Sequence, residues 1–338
     1  EFVPVSRLRV WKYRDSNHDG CLETWCVYDT GEDESIRFEG APLCWEGETP
    51  PSGIGKVPYA SMDVMGYSCN GRDVLADISK ELNNGMEEYW RNKADEVRKK
   101  IKEYLWREEK HACYDRDCNN EFMDTLLHNN LRVMYYGGFS QEMADEFISY
   151  HLLNPNEFWT NMPLPSIAVN DPLFRNYRNN NWSGQPQSLT FQRAIQALEN
   201  YGHFAEITLL GQKYLQVLGE NLIFPQQFDP FTAKPSMSND GYGPTLLSVL
   251  EYFSRLYGIY ISKDEVLWSG LEDGDCSREY VQIFGDLHYK LTSDSTGFSG
   301  YVNDKKVFMA SNNVRIVTDL SGSIQKIVGI DVIPRDIK

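Results

Sequence analysis

Over most of the chain, apolar residues return every third or fourth position, the spacing of a helical face, and they do so in paired stretches. Leu75, Ile78 and Leu82 share one side of a helix predicted over about 60–82. Tyr89, Val97, Ile101, Tyr104 and Leu105 share one side of a second over about 85–109, with Asn83-Asn84-Gly85 as the turn between them. Shorter helices are predicted at about 121–136 and 140–151, the latter with Ser140 as N-cap and acidic residues in its first turn. A further pair follows at about 185–201 (Leu189, Ile195, Leu198, Tyr201) and 203–218 (Leu210, Tyr214, Val217, Leu218), joined by Gly202. One more helix is predicted at about 244–257, carrying Leu246, Leu250, Phe253 and Tyr257. Residues 4–13 read as the tail of a helix, and 14–57 as a polar loop region. Helical hairpins repeated without sequence identity point to a toroid or barrel of helix pairs.

Near residue 260 the period changes from helical to two. Short alternating runs at 281–284, 288–291, 298–302, 306–309, 314–317 and 325–330 are separated by Asn303-Asp304, Ser311-Asn312-Asn313 and Ser321-Gly322-Ser323, which are hairpin turn residues. The expected class is mainly α, with helical hairpins followed by a small antiparallel β domain. The expected division is 1–262 and 263–338.

Composition narrows the partners. The chain has 338 residues, 41% of them hydrophobic, enough to bury one large core or two moderate ones. Its 33 basic and 49 acidic residues leave a net charge of −16, which argues against nucleic acid or an anionic membrane surface, since both need a dense basic face. A neutral substrate fits better. Aromatic content of 13% supplies candidate sugar platforms, or simply core rings. No apolar run approaches the roughly 20 residues of a membrane-spanning helix. The chain opens at Glu1 without an initiator Met, which suggests a processed or excised segment. The seven Cys residues follow no zinc spacing. Cys113 and Cys118 bracket four residues and are either free thiols or the ends of a short disulfide loop.

Four segments carry candidate chemistry. Gly31-Glu32-Asp33-Glu34-Ser35-Ile36-Arg37-Phe38 presents an Asp just after a Gly turn. Asn181-Trp182-Ser183-Gly184 places an aromatic before a predicted helix. Pro225-Gln226-Gln227-Phe228-Asp229-Pro230-Phe231-Thr232 is followed by Gly241-Tyr242-Gly243-Pro244, which opens a helix. Asp15-Ser16-Asn17-His18-Asp19-Gly20-Cys21-Leu22-Glu23 has oxygen ligands at alternate positions and a Gly for a sharp turn, the spacing of a calcium loop and also that of an Asx-turn loop that binds nothing.

The first three segments together resemble the sugar-cleaving core of the α-barrel glycosidases of family 63, whose relatives include trehalases. The resemblance covers about residues 5–260 and implies the later part of an (α/α)6 barrel. Such a barrel needs twelve helices, and about eight are legible here, so either a separate N-terminal half-barrel polypeptide supplies the opening helices, or the chain is a fragment, or it is a divergent partial barrel. It implies an inverting, exo-acting glycoside hydrolase of an α-linked glucoside or related oligosaccharide or disaccharide. Asp33 matches the general acid; read without its flanks it is one solvated acid among several. Gln226 stands at the position of the catalytic base. An amide has nearly the shape of a carboxylate but cannot take up a proton near neutral pH. Three accounts are open for it: a substitution that traps substrate, a natural loss of catalysis that leaves a sugar-binding protein, or a base supplied elsewhere, with Asp229 and Asp240 the nearest carboxylates. Trp182, Asp63, Arg37, Gln227 and Tyr242 match or flank substrate-side positions, with a core role the competing reading for Trp182. Some relatives carry calcium where Asp15, Asn17, Asp19, the Cys21 carbonyl and Glu23 lie here. No organic cofactor is expected, and an extracytoplasmic location is.

Overall fold

A computed structural model describes residues 14–18, 21–178, 182–236 and 241–330. The helix tail expected at 4–13 lies outside the described residues, as do Asp19, Asn181 and Asp240. Contacts divide the chain into two compact units, residues 1–201 with 225–239, and residues 202–224 with 240–338.

Among the described residues, five helices build the first unit. Helix α1 (Met62–Glu81) and α2 (Glu87–Lys100) form the predicted antiparallel pair, turning at Asn83 (φ 48°) and Gly85 (φ 76°). Helix α3 (Asn129–Tyr135) packs against both α1 and α5 (Ser188–Glu199), and α4 (Gln141–Phe147) is capped by Ser140, whose hydroxyl accepts the Met143 N–H. Two elements are shorter than their periodicity predicts. The second helix loses its regular turn after Lys100 and runs through a π turn (Ile101–Leu105) into a two-residue strand, β1 (Trp106–Arg107), paired with β2 (Ala112–Cys113). Its last carbonyls are drawn away: Arg116 Nε donates to Tyr104 O at 2.7 Å and Tyr114 N to Leu105 O at 2.9 Å. The helix expected at 121–136 begins only at Asn129. Leu126 N donates to Asp171 Oδ2 at 3.0 Å and His128 N to Ser166 O at 3.1 Å, so these two amides serve long-range partners instead of a helix.

The second unit joins two helices to eight strands. Helix α6 (Phe204–Asn221) packs on α7 (Gly243–Tyr257), with Tyr214 and Tyr252 ring centroids 5.6 Å apart. Strands β3 (Ile259–Ile261), β4 (Glu265–Gly270), β9 (Val314–Asp319) and β10 (Ile324–Gly329) form one antiparallel sheet in the order β10-β9-β4-β3. Strands β5 (Arg278–Phe284), β6 (Leu287–Asp294), β7 (Gly297–Val302) and β8 (Lys305–Ala310) form the other in sequential order. Trp268, Tyr289, Leu291, Phe298, Phe308 and Ile316 make their shared core. The six predicted runs are all strands, and Asn303 (φ 47°) with Asp304 (φ 62°) has the paired left-handed backbone that twists a two-residue hairpin correctly. Two strands, β3 and β4, precede the runs read from the sequence, because Ser262-Lys263-Asp264 interrupts the alternation between them. The unit boundary also differs from 262/263. Helix α7 packs on β3 and β4, and Arg315 Nη2 donates to Arg255 O at 3.2 Å, so these helices share a core with the strands. All seven cysteines are free thiols, Cys113 buried and Cys118 exposed. Among the described residues no helix is long and apolar enough to cross a membrane.

Candidate active site

The Asp33 loop is tight because Gly31 (φ 73°) and Glu34 (φ 58°) both take the left-handed backbone. Successive side chains therefore part company: Glu32 turns into the protein and Asp33 stands exposed. Ser35 then caps a single 3₁₀ turn (Ile36–Phe38), accepting from Arg37 N.

Behind the loop lies a buried ion cluster. Arg37 donates through Nε to Asp115 Oδ2 at 2.6 Å, through Nη1 to Glu32 Oε2 at 3.1 Å and through Nη2 to Asp63 Oδ1 at 2.9 Å. Arg132 reaches Glu32 Oε1 at 3.2 Å and Asp63 Oδ2 at 2.9 Å. Asn129 Nδ2 adds donors to Glu32 at 2.7 Å and Asp63 at 3.2 Å. Met62 N, in the first turn of α1, donates to Asp115 Oδ1 at 2.9 Å. The cluster ties α1, α3 and the loop at 115 to the base of the Asp33 loop.

Its electrostatics are divided. Burial would raise the Glu32 carboxyl, but Arg132, His128 and Arg37 together hold it well below the usual carboxylate range. Asp63 is likewise lowered, burial being outweighed by Arg37 and Arg132. Asp115 goes the other way, because burial outweighs its bond to Arg37. Three surrounding carboxylates overcome the burial of Arg37 and raise its guanidinium well above its ordinary value. Burial pushes His128 below the usual histidine range; its Nε2 lies 3.5 Å from Glu32 Oε1 and its Nδ1 3.2 Å from Thr190 Oγ1.

Trp182 is joined to the loop from the other side. Ser35 Oγ donates to Trp182 O at 3.3 Å, and Ile36 N donates to Ser183 Oγ at 2.9 Å. The indole is buried, 6.0 Å from the His128 ring between centroids, on a backbone at φ 49°. Left-handed backbone at a bulky residue costs about 1–3 kcal/mol and persists where its surroundings over-determine it. Beyond Gly184 the chain pairs with the Gln226 segment. Gln187 bridges Gln227, Ser188 N donates to Gln226 O at 3.0 Å, and Gln227 Nε2 donates to Gln185 Oε1 at 2.9 Å and Tyr177 O at 3.0 Å. The Gln226 side chain is half-buried and that of Gln227 fully buried. Five buried polar atoms along these segments have no protein partner: Asn129 Oδ1, Trp182 Nε1, both amide ends of Gln187 and Gln227 Oε1. Each such group costs about 1–3 kcal/mol in a dry site.

The first unit holds Asp33, Arg37, Asp63, Trp182, Gln226 and Gln227; Arg37 and Asp63 sit in the ion cluster, Trp182 is bonded to Ser35 of the Asp33 loop, and Gln226 and Gln227 are bonded to the 185–188 segment, whereas Tyr242 belongs to the second unit. There it precedes α7, with Pro244 in the first turn, and its N–H donates to Phe224 O at 2.9 Å. Asp229 accepts from Phe231 N, Thr232 N and Asn176 Nδ2, the contacts of a turn cap. In the 15–23 loop, Asp15 is half-buried, Asn17 exposed and Cys21 buried. Glu23 spends its carboxylate within the protein, accepting from Ser16 N at 3.0 Å, Ser16 Oγ at 2.9 Å and Trp25 Nε1 at 2.8 Å. Among the described residues no three His, Cys, Asp or Glu side chains converge as metal ligands. Glu32, Asp115, His128, Asn129, Arg132, Ser183, Gln185 and Gln187 were not legible as site residues. Their partners lie up to 147 positions away, and only the alternation of Glu32 with Asp33 hints at an inward carboxylate.

A family model described as the mannosylglycerate hydrolase MGH1-like glycoside hydrolase domain matches residues 5–243. No curated protein matches the chain. Among solved structures, a sialidase is similar with a TM-score of 0.72 and 13% identity, over 92% of this chain and 30% of that one. The GH63 mannosylglycerate hydrolase from Thermus thermophilus, in complex with glucose, is similar with a TM-score of 0.56 and 14% identity, over 72% of this chain and 66% of that one. The neutral trehalase of Saccharomyces cerevisiae gives a TM-score of 0.55 and 16% identity, over 75% and 44%. At these identities the likeness is one of fold, and the chain spans only part of the length of each.

Proposed function

The chain belongs to the MGH1-like glycoside hydrolase family, and from that premise we propose that it acts at the end of an α-linked glucoside or related oligosaccharide with inversion at the anomeric carbon. Asp33 gives its proton to the leaving oxygen as the C–O bond breaks. Water adds from the opposite face, at the Gln226 position, and Trp182 supports the sugar. The observation that carries this reading is the run of hydrogen bonds from Ser35 and Ile36 to Trp182 and Ser183, and on through Gln185 and Gln187 to Gln227. It links the acid loop, the aromatic and the Gln226 segment within one unit.

The Gln226 amide can orient water but cannot accept its proton, which must pass to solvent or to another group, so turnover is slow. The alternative, a sugar-binding protein on a glycosidase fold, is favoured by the same amide. Turnover of a disaccharide panel by the chain and by Gln226→Glu separates the two: hydrolysis by Gln226→Glu with an inverted first product supports the enzyme. Tight sugar binding with no turnover in either form supports the binding protein.

The remaining barrel helices are proposed to come from sequence outside this chain, in the simplest case a separate N-terminal half-barrel polypeptide, and co-purification of such a chain tests it. An extracytoplasmic location is proposed with it, tested by fractionation of the source cells. Calcium at the Asp15–Glu23 loop is tested by whether excess chelator lowers the melting temperature.

A further inference from the structure

Beside the Asp33 loop lies a cleft of about 450 Å³, inside the range of about 300–1,000 Å³ that small-molecule sites occupy. Val27 and Phe38, both buried, and the exposed Leu43 line it. The first two belong to a buried apolar cluster with Val57 and Tyr59, so this part of the lining is rigid, while Leu43 is 57% exposed and free to cover a ligand. Glu34 and Glu39 stand exposed at the rim. Arg175, a cation in the lining, holds its Nη1 on the carbonyls of Pro172 and Phe174 at 2.8 and 2.9 Å.

We infer that this cleft receives the leaving group of the substrate and that the leaving group is uncharged and apolar, an aryl or alkyl alcohol. The inference rests on the glycosidase reading of Asp33. Glu34, which lines the cleft, is the next residue after Asp33, and adjacent Cα atoms are about 3.8 Å apart. The exposed Asp33 therefore adjoins the lining of the cleft along the chain, and the aryl or alkyl substituent carried by the oxygen it protonates enters the cleft. An apolar ring gains there by leaving water for Val27, Phe38 and Leu43. A carboxylate gains nothing comparable, because two glutamates face it and the one guanidinium is partly committed to backbone.

The test is binding, which does not depend on turnover. Titration calorimetry compares phenyl and methyl α-glucosides, the same pair of α-mannosides, a glucosylglycerate and free phenol, on the chain and on Leu43→Asp and Leu43→Ala. The expected result is a phenyl glycoside bound about tenfold or more tightly than its methyl counterpart, with glucosylglycerate weakest. Leu43→Asp abolishes the phenyl advantage and leaves methyl affinity unchanged, and Leu43→Ala reduces it. Equal binding of phenyl and methyl glycosides, preference for glucosylglycerate, or a phenyl preference that Leu43→Asp does not change overturns the inference and leaves the glycosidase reading standing. Phenol bound in a Leu43-dependent way with no glycoside bound supports the cleft and overturns the sugar reading. No binding of phenol or of any glycoside overturns the inference.

Discussion

Arg37 and Asp63 meet at two points, Nη2 to Oδ1 at 2.9 Å and Nη1 to Oδ2 at 3.3 Å, with both side chains shut away from solvent. Twenty-six positions separate them, and the pair fastens the acid loop to the first turn of α1. On the function proposed here, Arg37 acts by holding the loop that carries Asp33.

Arg37→Ala leaves Glu32, Asp63 and Asp115 facing each other with Arg132 as the remaining guanidinium among them, and removing one partner of a buried pair costs about 3–5 kcal/mol. Urea unfolding of the first-unit signal is expected to show a loss of that size. Arg37→Lys is expected to recover little, because one ammonium cannot serve three carboxylates in a fixed fork. A stability change below about 1 kcal/mol would show that the cluster does not hold the loop.

Acid should weaken the protein in a defined window. The lowered carboxyls of Glu32 and Asp63 contribute stability above their unfolded pKa, about 4, and lose it as pH falls toward their folded values. The lowered His128 adds to this, since protonation below about pH 6.5 favours the unfolded chain. Asp115, raised, opposes the trend, its contribution being largest at low pH and lost as pH rises through its folded value. Melting temperature is expected to rise from pH 3 to about 6.5 and then level. Glu32→Gln, at lower overall stability, is expected to flatten the lower part of that rise.

At the proposed water side, Gln226→Glu is expected to raise kcat by about 10²–10⁴, the usual worth of a general base, with little change in sugar affinity. Proton NMR of the first product is expected to show the inverted anomer. Asp33→Asn in that background is expected to remove the gain. Unchanged turnover in Gln226→Glu with full activity of the starting chain would place the base on another residue.

Ser183→Ala removes the acceptor for Ile36 N and is expected to cost about 1–2 kcal/mol through an amide left unpaired. It is also expected to weaken sugar binding, since the tether joins the acid loop to Trp182. Normal affinity in a less stable variant would confine Ser183 to folding.

In the second unit, Trp268 is fully buried, its ring 5.7 Å from that of Tyr289 and its Nε1 donating to Thr318 Oγ1 at 3.0 Å. Trp268→Ala is expected to cost about 3–5 kcal/mol, measured as an earlier unfolding transition of that unit. Sugar binding by the folded protein is expected to stay unchanged.

The segments carrying Asp33, Trp182 and Gln226 stand out by their resemblance to family 63 glycosidases, and the sequence by itself determined the helical hairpins, the six later strands and the hairpin turn at Asn303-Asp304. These depend on local periods and on turn residues whose backbone preferences need no distant partner. Only the tertiary structure decided where helices stop, as at Asn129 and Lys100, because there the backbone groups go to partners far along the chain. It alone assigned α6 and α7 to the unit that contains the strands, since packing of helix on sheet has no signature in either period. It alone brought Glu32, Asp115 and Arg132 into one ion cluster. A charged residue looks the same in sequence whether it faces water or a buried partner, and only the fold supplies the partner that makes its burial tolerable.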